Sequence, residues 1–346
     1  AGFPPERVIF HGNNKTREEL ELALEAGVGR IVVDNLHELA LLQRLLQGRE
    51  ARILLRITPG VAAHTHEYIQ TGQQDSKFGL DVASGQAAEA VRRLLAGPDL
   101  LQLYGVHVHI GSQILALEPY VLAVRRVFAF LQELRERFGL VMRELDLGGG
   151  LGIRHTGEET VPEIAALVRT VTQAVVSEAA ELEYPLPRLI LEPGRSLVGE
   201  AGLTLYTVGT VKEIPGVRIY AAVDGGMGDL LRPALYGARY RAVGANRRLG
   251  PARPDQPPLT LAGRFCEAGD VLIETADLES VRPGDLIAVL STGAYTYSMA
   301  SNYNRVPRPA MVLVREGRHA LIVARETYAD LVAHDRLPDW LLGERE

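Results

Sequence analysis

The chain has 346 residues, 47% of them hydrophobic, a formal net charge of -6 and a single cysteine, Cys266. That length suits roughly two domains of about 150 residues each, with enough apolar material for a large core. The mildly acidic balance excludes a general nucleic-acid binder, which needs a basic face. No apolar run reaches the roughly 18 residues of a membrane span. One cysteine permits no intrachain disulfide, which fits a reducing cytoplasm.

Taken in chain order, short apolar runs alternate with helical patterns up to about residue 192. Strands are expected over Arg7–Phe10, Arg30–Asp34, Arg52–Ile57, Leu103–His109, Arg143–Leu147 and Arg188–Glu192. These runs are continuously apolar, as for parallel strands covered on both faces. Thr16–Ala26 opens as a capping box, with Thr16 and Glu19 at N-cap and N3. The longest helix is expected over Glu118–Phe138, with Val121, Val124, Val127, Phe128, Leu131 and Leu134 on one face.

Six β/α repeats admit a doubly wound sheet or a (β/α)8 barrel. The barrel is preferred because polar or glycine-rich motifs follow nearly every strand: His11–Lys15, Asp34–Asn35, His109–Gln113, Gly148–Gly152 and Glu192–Arg195. Barrel enzymes place their sites at that rim. Six repeats are two short of eight, so roughly 60 residues are expected upstream at about 30 per repeat. After Leu197 strand-like runs separated by Gly/Pro turns take over: Thr204–Glu213, Val217–Val223, Leu259–Ala262, Asp270–Glu274, Leu286–Leu290, Ala310–Arg315 and His319–Arg325. The expected organisation is therefore a barrel domain over 1–198, incomplete at its N-terminus, and a mostly β domain over 199–346. A barrel lacking strands exposes sheet edges, so the piece by itself is expected to be unstable or aggregation-prone.

Several motifs carry chemistry, each with a plainer alternative. Gly148-Gly149-Gly150 after a strand can converge backbone N–H groups on a phosphate, or simply make a tight turn. Glu192-Pro193-Gly194-Arg195 is a structural ion pair or an anion-binding Arg beside a Glu able to hold a heteroaromatic nitrogen protonated. His107 and His109 fall on one strand face. No third ligand accompanies them at a metal-binding spacing, so a ring stacked on a flat cofactor, with Ser112 for its phosphate, is preferred to a metal site. Cys266 is a small buried hydrophobe or, in its polar and glycine-flanked setting, a reactive loop thiol. Arg232, Tyr236 and Tyr295 are cationic and phenolic groups in turns, or solvated surface.

Together these motifs resemble the diaminopimelate decarboxylases, fold-type III enzymes with a (β/α)8 barrel and a β domain. The resemblance runs through Gly12–Lys15, Arg56–Leu80, His109–Gln113, Leu145–Gly152, Glu192–Arg195, Asp224–Tyr236, Cys266-Glu267 and Gly293–Tyr295. It implies pyridoxal 5'-phosphate as cofactor and decarboxylation of meso-2,6-diaminopimelate to L-lysine and CO2. His109 is then expected to stack on the pyridine ring. Ser112, Gly148, Gly149, Gly150 and Tyr295 would hold phosphate, and Glu192 the pyridine nitrogen, with Pro193, Gly194 and Arg195 completing the cofactor site. Arg195, Arg232, Tyr236 and Tyr295 are expected around the substrate, Glu267 on its distal ammonium and Cys266 as the acid that protonates the carbanion. The family implies a homodimer in which Cys266 and Glu267 serve the neighbouring subunit.

Three departures stand out. Gly228 and Ala268 replace a common Asn and Ser, and no residue matches the family's Schiff-base lysine, because Lys15, Lys77 and Lys212 align elsewhere. Truncation accounts for the missing lysine and the missing strands together. Related enzymes for lysine/ornithine, carboxynorspermidine or a carrier-bound glutamyl group remain alternatives, as do a racemase and a non-catalytic homologue.

Overall fold

A computed structural model describes residues 2–61 and 76–341. The HTHEYIQTG stretch of the Arg56–Leu80 motif lies outside the described residues. The chain divides into two compact units, residues 1–153 with 159–197, and residues 154–158 with 198–346.

The first unit alternates strands and helices: β1 (Ile9–Phe10), α1 (Arg17–Glu25), β2 (Arg30–Val33), α2 (Leu36–Leu45), β3 (Ala51–Thr58), β4 (Leu80–Asp81), α3 (Gln86–Leu95), β5 (Leu101–His107), α4 (Glu118–Phe138), β6 (Glu144–Asp146), α5 (Ile164–Glu181), β7 (Arg188–Ile190) and α6 (Gly194–Val198). Its strands pair in parallel in the order β1-β2-β3-β5-β6-β7, with β4 also on β3. A doubly wound sheet reverses direction at a switch point. Here each main strand adds beside its predecessor, which is barrel winding. Among the described residues β1 and β7 end the path, and a cavity of about 520 Å³ lies along both, lined by Val8, Ile9, Arg30, Glu144, Arg188 and Ile190.

Local chemistry explains the helices. Thr16 accepts from the Glu19 N–H while the Glu19 carboxylate accepts from the Thr16 N–H, so the expected capping box is formed. Asn35 caps α2 by accepting from the Glu38 N–H. Helix α4 buries Val124, Val127, Phe128, Leu131 and Leu134, and Gly139 ends it at φ +67°. Of the face expected for this helix only Val121 is partly exposed, and Tyr120, Ala123 and Phe130 are buried beside the others.

The second unit holds β8 (Thr204–Ile214), β9 (Arg218–Val223), α7 (Arg232–Tyr236), β10 (Ala242–Gly244), β11 (Leu259–Ala262), β12 (Val271–Ala276), β13 (Leu286–Val289), β14 (Met311–Arg315), β15 (Arg318–Val323) and α8 (Tyr328–Val332). Six strands form a mixed sheet in the order β10-β13-β8-β9-β11-β12, and β14-β15 is a separate hairpin. Tyr206, Val208, Ala221, Val223, Leu259, Leu261, Ile287 and Val289 form its core.

Candidate functional site

The first unit gathers a row of polar side chains toward the carboxyl ends of its strands. Parallel register sets Arg56 on β3 opposite His107 on β5, and His107 opposite Asp146 on β6. Asp146 in turn faces Ile190 on β7, two residues before Glu192. Polar groups two residues apart project to one side of a strand. The row thus brings to one rim residues that lie far apart in sequence.

At its centre one ligand atom from each of His11, His107, Asp146 and Glu192 lies within 4.8 Å of the others. His11 Nε2 is 2.6 Å from Glu192 Oε1, and the His11 and His107 rings meet edge-on at 4.7 Å. Burial raises the Glu192 carboxyl, but hydrogen bonds from His11 and Asp146 outweigh it and hold Glu192 below the usual carboxylate range. Asp146 moves the other way. Burial first, then the charge of Glu192, pushes its carboxyl well above that range. The opposite shifts favour a neutral Asp146 beside a charged Glu192. Asp146 also accepts the Gly148 N–H at 2.9 Å, which fixes its orientation.

His109 stands past the end of β5, near the glycine loop, with the Gly149 N–H 3.4 Å from its Nδ1. Burial and then the Arg56 charge bring its imidazole down to about 4. His107 is fully buried and is likewise pushed well down by burial. Both imidazoles are neutral at physiological pH.

The glycine loop has no room for side chains. A Cβ on Gly149 would lie 2.1 Å from the Glu192 carbonyl oxygen, and one on Gly150 2.2 Å from that of Gly111. Gly148 and Gly150 also adopt φ +64° and +101°. The loop is stitched to its neighbour by Ile114 N–H to Gly150 O and Gly152 N–H to Ile114 O, both 2.9 Å. Tyr120 of α4 donates to Gly149 O at 3.1 Å. Beside it, buried Arg195 donates through Nη2 to Ser112 Oγ at 3.0 Å.

Around this centre lie two further buried ionic contacts. Arg56 Nη1 is 3.5 Å from Asp34 Oδ1, and its guanidinium covers the Phe78 ring at 4.3 Å. Lys15 Nζ reaches Glu38 Oε1 at 2.8 Å, Val32 O at 2.6 Å and Gly12 O at 2.7 Å. All three ammonium protons of Lys15 are thereby used.

Among the expected site residues, the structure brings His109, Ser112, Gly148–Gly150, Glu192, Pro193, Gly194 and Arg195 together in the first unit. Cys266, Glu267, Arg232, Tyr236 and Tyr295 belong to the second. There Arg232 is buried, donates through Nε to Tyr240 O–H at 3.1 Å and stacks over Tyr236. Cys266 is exposed, which corrects the reading of a small buried hydrophobe. Its Sγ donates to Glu267 Oε1 at 3.6 Å. Sequence reasoning missed His11 and Asp146 as site residues. The argument that His107 lacked companions at a ligand spacing is also corrected: its neighbours come from the turn after β1, from β6 and from the turn after β7, which no local spacing displays.

A family model described as the pyridoxal-binding domain of pyridoxal-dependent decarboxylases matches residues 1–199. The Bacillus subtilis (strain 168) diaminopimelate decarboxylase is 53% identical over 337 residues, covering 97% of this chain and 76% of that protein. The Mycobacterium tuberculosis (strain H37Rv) enzyme of the same name is 45% identical, covering 96% and 76%. Among solved structures, diaminopimelate decarboxylase from M. jannaschii in co-complex with L-lysine superposes with a TM-score of 0.89 at 37% identity, covering 98% of this chain and 76% of that one. The Helicobacter pylori enzyme complexed with L-lysine gives 0.85 at 32% identity, covering 96% and 79%. The chain belongs to the pyridoxal-dependent decarboxylases, and within them to the diaminopimelate decarboxylases.

Membership implies pyridoxal phosphate, and the site fits it. A carboxylate kept anionic between two hydrogen-bond donors suits a protonated pyridine nitrogen. A loop whose Cβ positions are closed off lets its backbone lie close to a ligand. Among the described residues no helix is long and apolar enough to cross a membrane.

Proposed function

We propose that this chain provides most of a cytoplasmic enzyme that decarboxylates meso-2,6-diaminopimelate to L-lysine and CO2. The observation that carries the reading is Glu192, held as an anion by His11 and Asp146 at the strand ends. When bound, the cofactor supplies an electron sink for the pair released as CO2 leaves. Glu192 keeps its ring nitrogen protonated, and neutral His109 packs against the ring face. The Gly148–Gly150 loop, Ser112 and Tyr295 are assigned to the cofactor's phosphate, and Pro193, Gly194 and Arg195 complete the cofactor site.

The substrate carries an amino-carboxylate at each end. Burying either far charge unpaired is costly, so a complementary set of groups rejects simple diamino acids. Arg195, Arg232 and Tyr236 are assigned to the far carboxylate and Glu267 to the far ammonium, with Tyr295 also at the substrate. The Cys266 thiol delivers a proton to the α-carbon. In this reading the enzyme is a homodimer, with Cys266 and Glu267 acting in the partner's site.

Lys15 is committed to Glu38 and two carbonyls, while Lys77 and Lys212 are exposed. Those surroundings support a cofactor-bearing lysine outside residues 1–346. The decisive assay follows CO2 release and L-lysine formation by the cofactor-loaded full-length protein. Borohydride reduction and peptide mapping accompany it. Equal turnover of lysine or ornithine would overturn the substrate, and an adduct on Lys15 would overturn the lysine assignment.

A further inference from the structure

The segment Gly263–Asp270 is pinned at its base. Asp270 accepts the Phe265 N–H at 2.8 Å and the Met227 N–H at 2.7 Å, and the Arg264 N–H reaches Gly225 O at 3.0 Å. A Cβ on Gly228 would stand 2.9 Å from the Phe265 ring. That close approach explains why this chain carries Gly at 228: the Phe265 ring lies where a side chain would go. The other edge of Phe265 faces Tyr303, with centroids 5.3 Å apart and planes at 74°.

Beyond these anchors stands Glu267, and its two oxygens are used unequally. Oε1 accepts from the Tyr303 hydroxyl and from Cys266 Sγ. Oε2 is buried and has no hydrogen-bond partner among the described residues. A carboxylate oxygen left without a donor is costly unless a ligand supplies one. Tyr303 itself is firmly held. Its neighbour Asn302 donates through Nδ2 to Val306 O at 3.1 Å and to Glu326 Oε2 at 2.5 Å. Arg308 closes on Glu326 through Nε and its backbone N–H, both at 2.8 Å.

We infer that Tyr303 is a positioning residue: it anchors Glu267 through Oε1 and leaves the buried Oε2 without a protein donor, for the ammonium at the far end of the substrate. This rests on the assignment of Glu267 to that ammonium. Tyr303 acts on specificity and touches no reacting atom. Its hydrogen bond also holds the Glu267 carboxyl below its ordinary range, so Glu267 stays charged for a cation. The titratable groups that bear on Glu267 are Tyr303, Cys266 and Asp270.

The test is Tyr303→Phe in the cofactor-loaded full-length protein, compared with wild type on two ligands. One is meso-diaminopimelate. The other is 2-aminopimelate, which keeps both carboxylates and lacks the second ammonium. The ring is retained, so Phe265 keeps its neighbour, and an unchanged melting curve verifies the fold. The expected result is a KM for meso-diaminopimelate raised about tenfold, the scale of a hydrogen bond to a charged group. Both kcat and the inhibition constant of 2-aminopimelate should stay within about twofold. An unchanged KM overturns the inference, as does parallel weakening of both ligands. A wild-type protein inactive on meso-diaminopimelate overturns the functional reading and this inference with it, and that outcome shows before any variant is compared.

Discussion

His11 Nε2 and Glu192 Oε1 stand 2.6 Å apart across 181 residues of sequence, joining the turn after the first strand of the sheet to the turn after the seventh. The contact gives Glu192 a second donor besides Asp146, and two donors are what keep a part-buried carboxyl ionised. Replacing His11 by Phe removes one of them. A hydrogen bond to a charged group is worth about 1.5–3 kcal/mol, so cofactor affinity should fall roughly tenfold to a hundredfold, read by absorbance titration of the apoprotein. Unchanged affinity would show that Glu192 does not depend on His11.

Asp146 and Glu192 should respond to pH in opposite directions. The folded-state pKa of Asp146 is raised, so its contribution is complete below the unfolded value and is lost as pH rises through the folded one. Glu192 is depressed, so its contribution is present above the unfolded value and is lost as pH falls. Asp146→Asn keeps a neutral side chain at this place and should gain stability relative to wild type as pH rises. Carbon-13 NMR of Asp146 should report a protonated carboxyl through the range where ordinary aspartates ionise. An ionised Asp146 at neutral pH contradicts a neutral Asp146 beside a charged Glu192.

Gly149, in the loop after β6, and Gly194, which opens α6 after β7, should differ sharply. A methyl at 149 would drive into the Glu192 carbonyl at 2.1 Å, whereas one at 194 meets nothing within 4 Å. Gly149→Ala is expected to cost about 1–3 kcal/mol by overpacking and to loosen the cofactor. Gly194→Ala should melt like wild type. Urea unfolding of the two variants makes the comparison, and equal midpoints would refute the tight approach.

Lys15 and Glu38 test whether this lysine is structural. Both side chains are almost wholly buried. Lys15→Ala leaves the Glu38 charge uncompensated and should cost about 3–5 kcal/mol. The double change Lys15→Met with Glu38→Gln should recover much of that loss. A Lys15→Ala variant that remains stable but fails to form the cofactor adduct would make Lys15 the cofactor lysine after all.

Much was legible in local pattern. The capping box of Thr16 and Glu19, the 21-residue helix Glu118–Phe138 and the β/α alternation all depend on neighbours a few residues apart, so periodicity and caps displayed them. The motif order likewise placed Gly148–Gly150 and Glu192 at strand ends. Strand limits were less legible. The expected Leu103–His109, Arg143–Leu147 and Arg188–Glu192 run past β5, β6 and β7, which end at His107, Asp146 and Ile190. Val108, Leu147 and Leu191 continue the apolar run past those points while the backbone turns into the site.

Asp146 shows most clearly what tertiary structure alone decided. In sequence it is an acid within the apolar run Leu145–Leu147, with no partner nearby. Parallel register aligns it with His107, and the next strand delivers Glu192 against it. Its proton follows from that burial and that neighbour. The pairing of Lys15 with Glu38, the wedge of Phe265 on Gly228 and the unequal oxygens of Glu267 have the same origin. Each depends on a distance between segments far apart in the chain, and such distances are set by how layers pack rather than by any local period. By itself, the sequence determined which residues were available and in what order; register and close packing decided which of them meet.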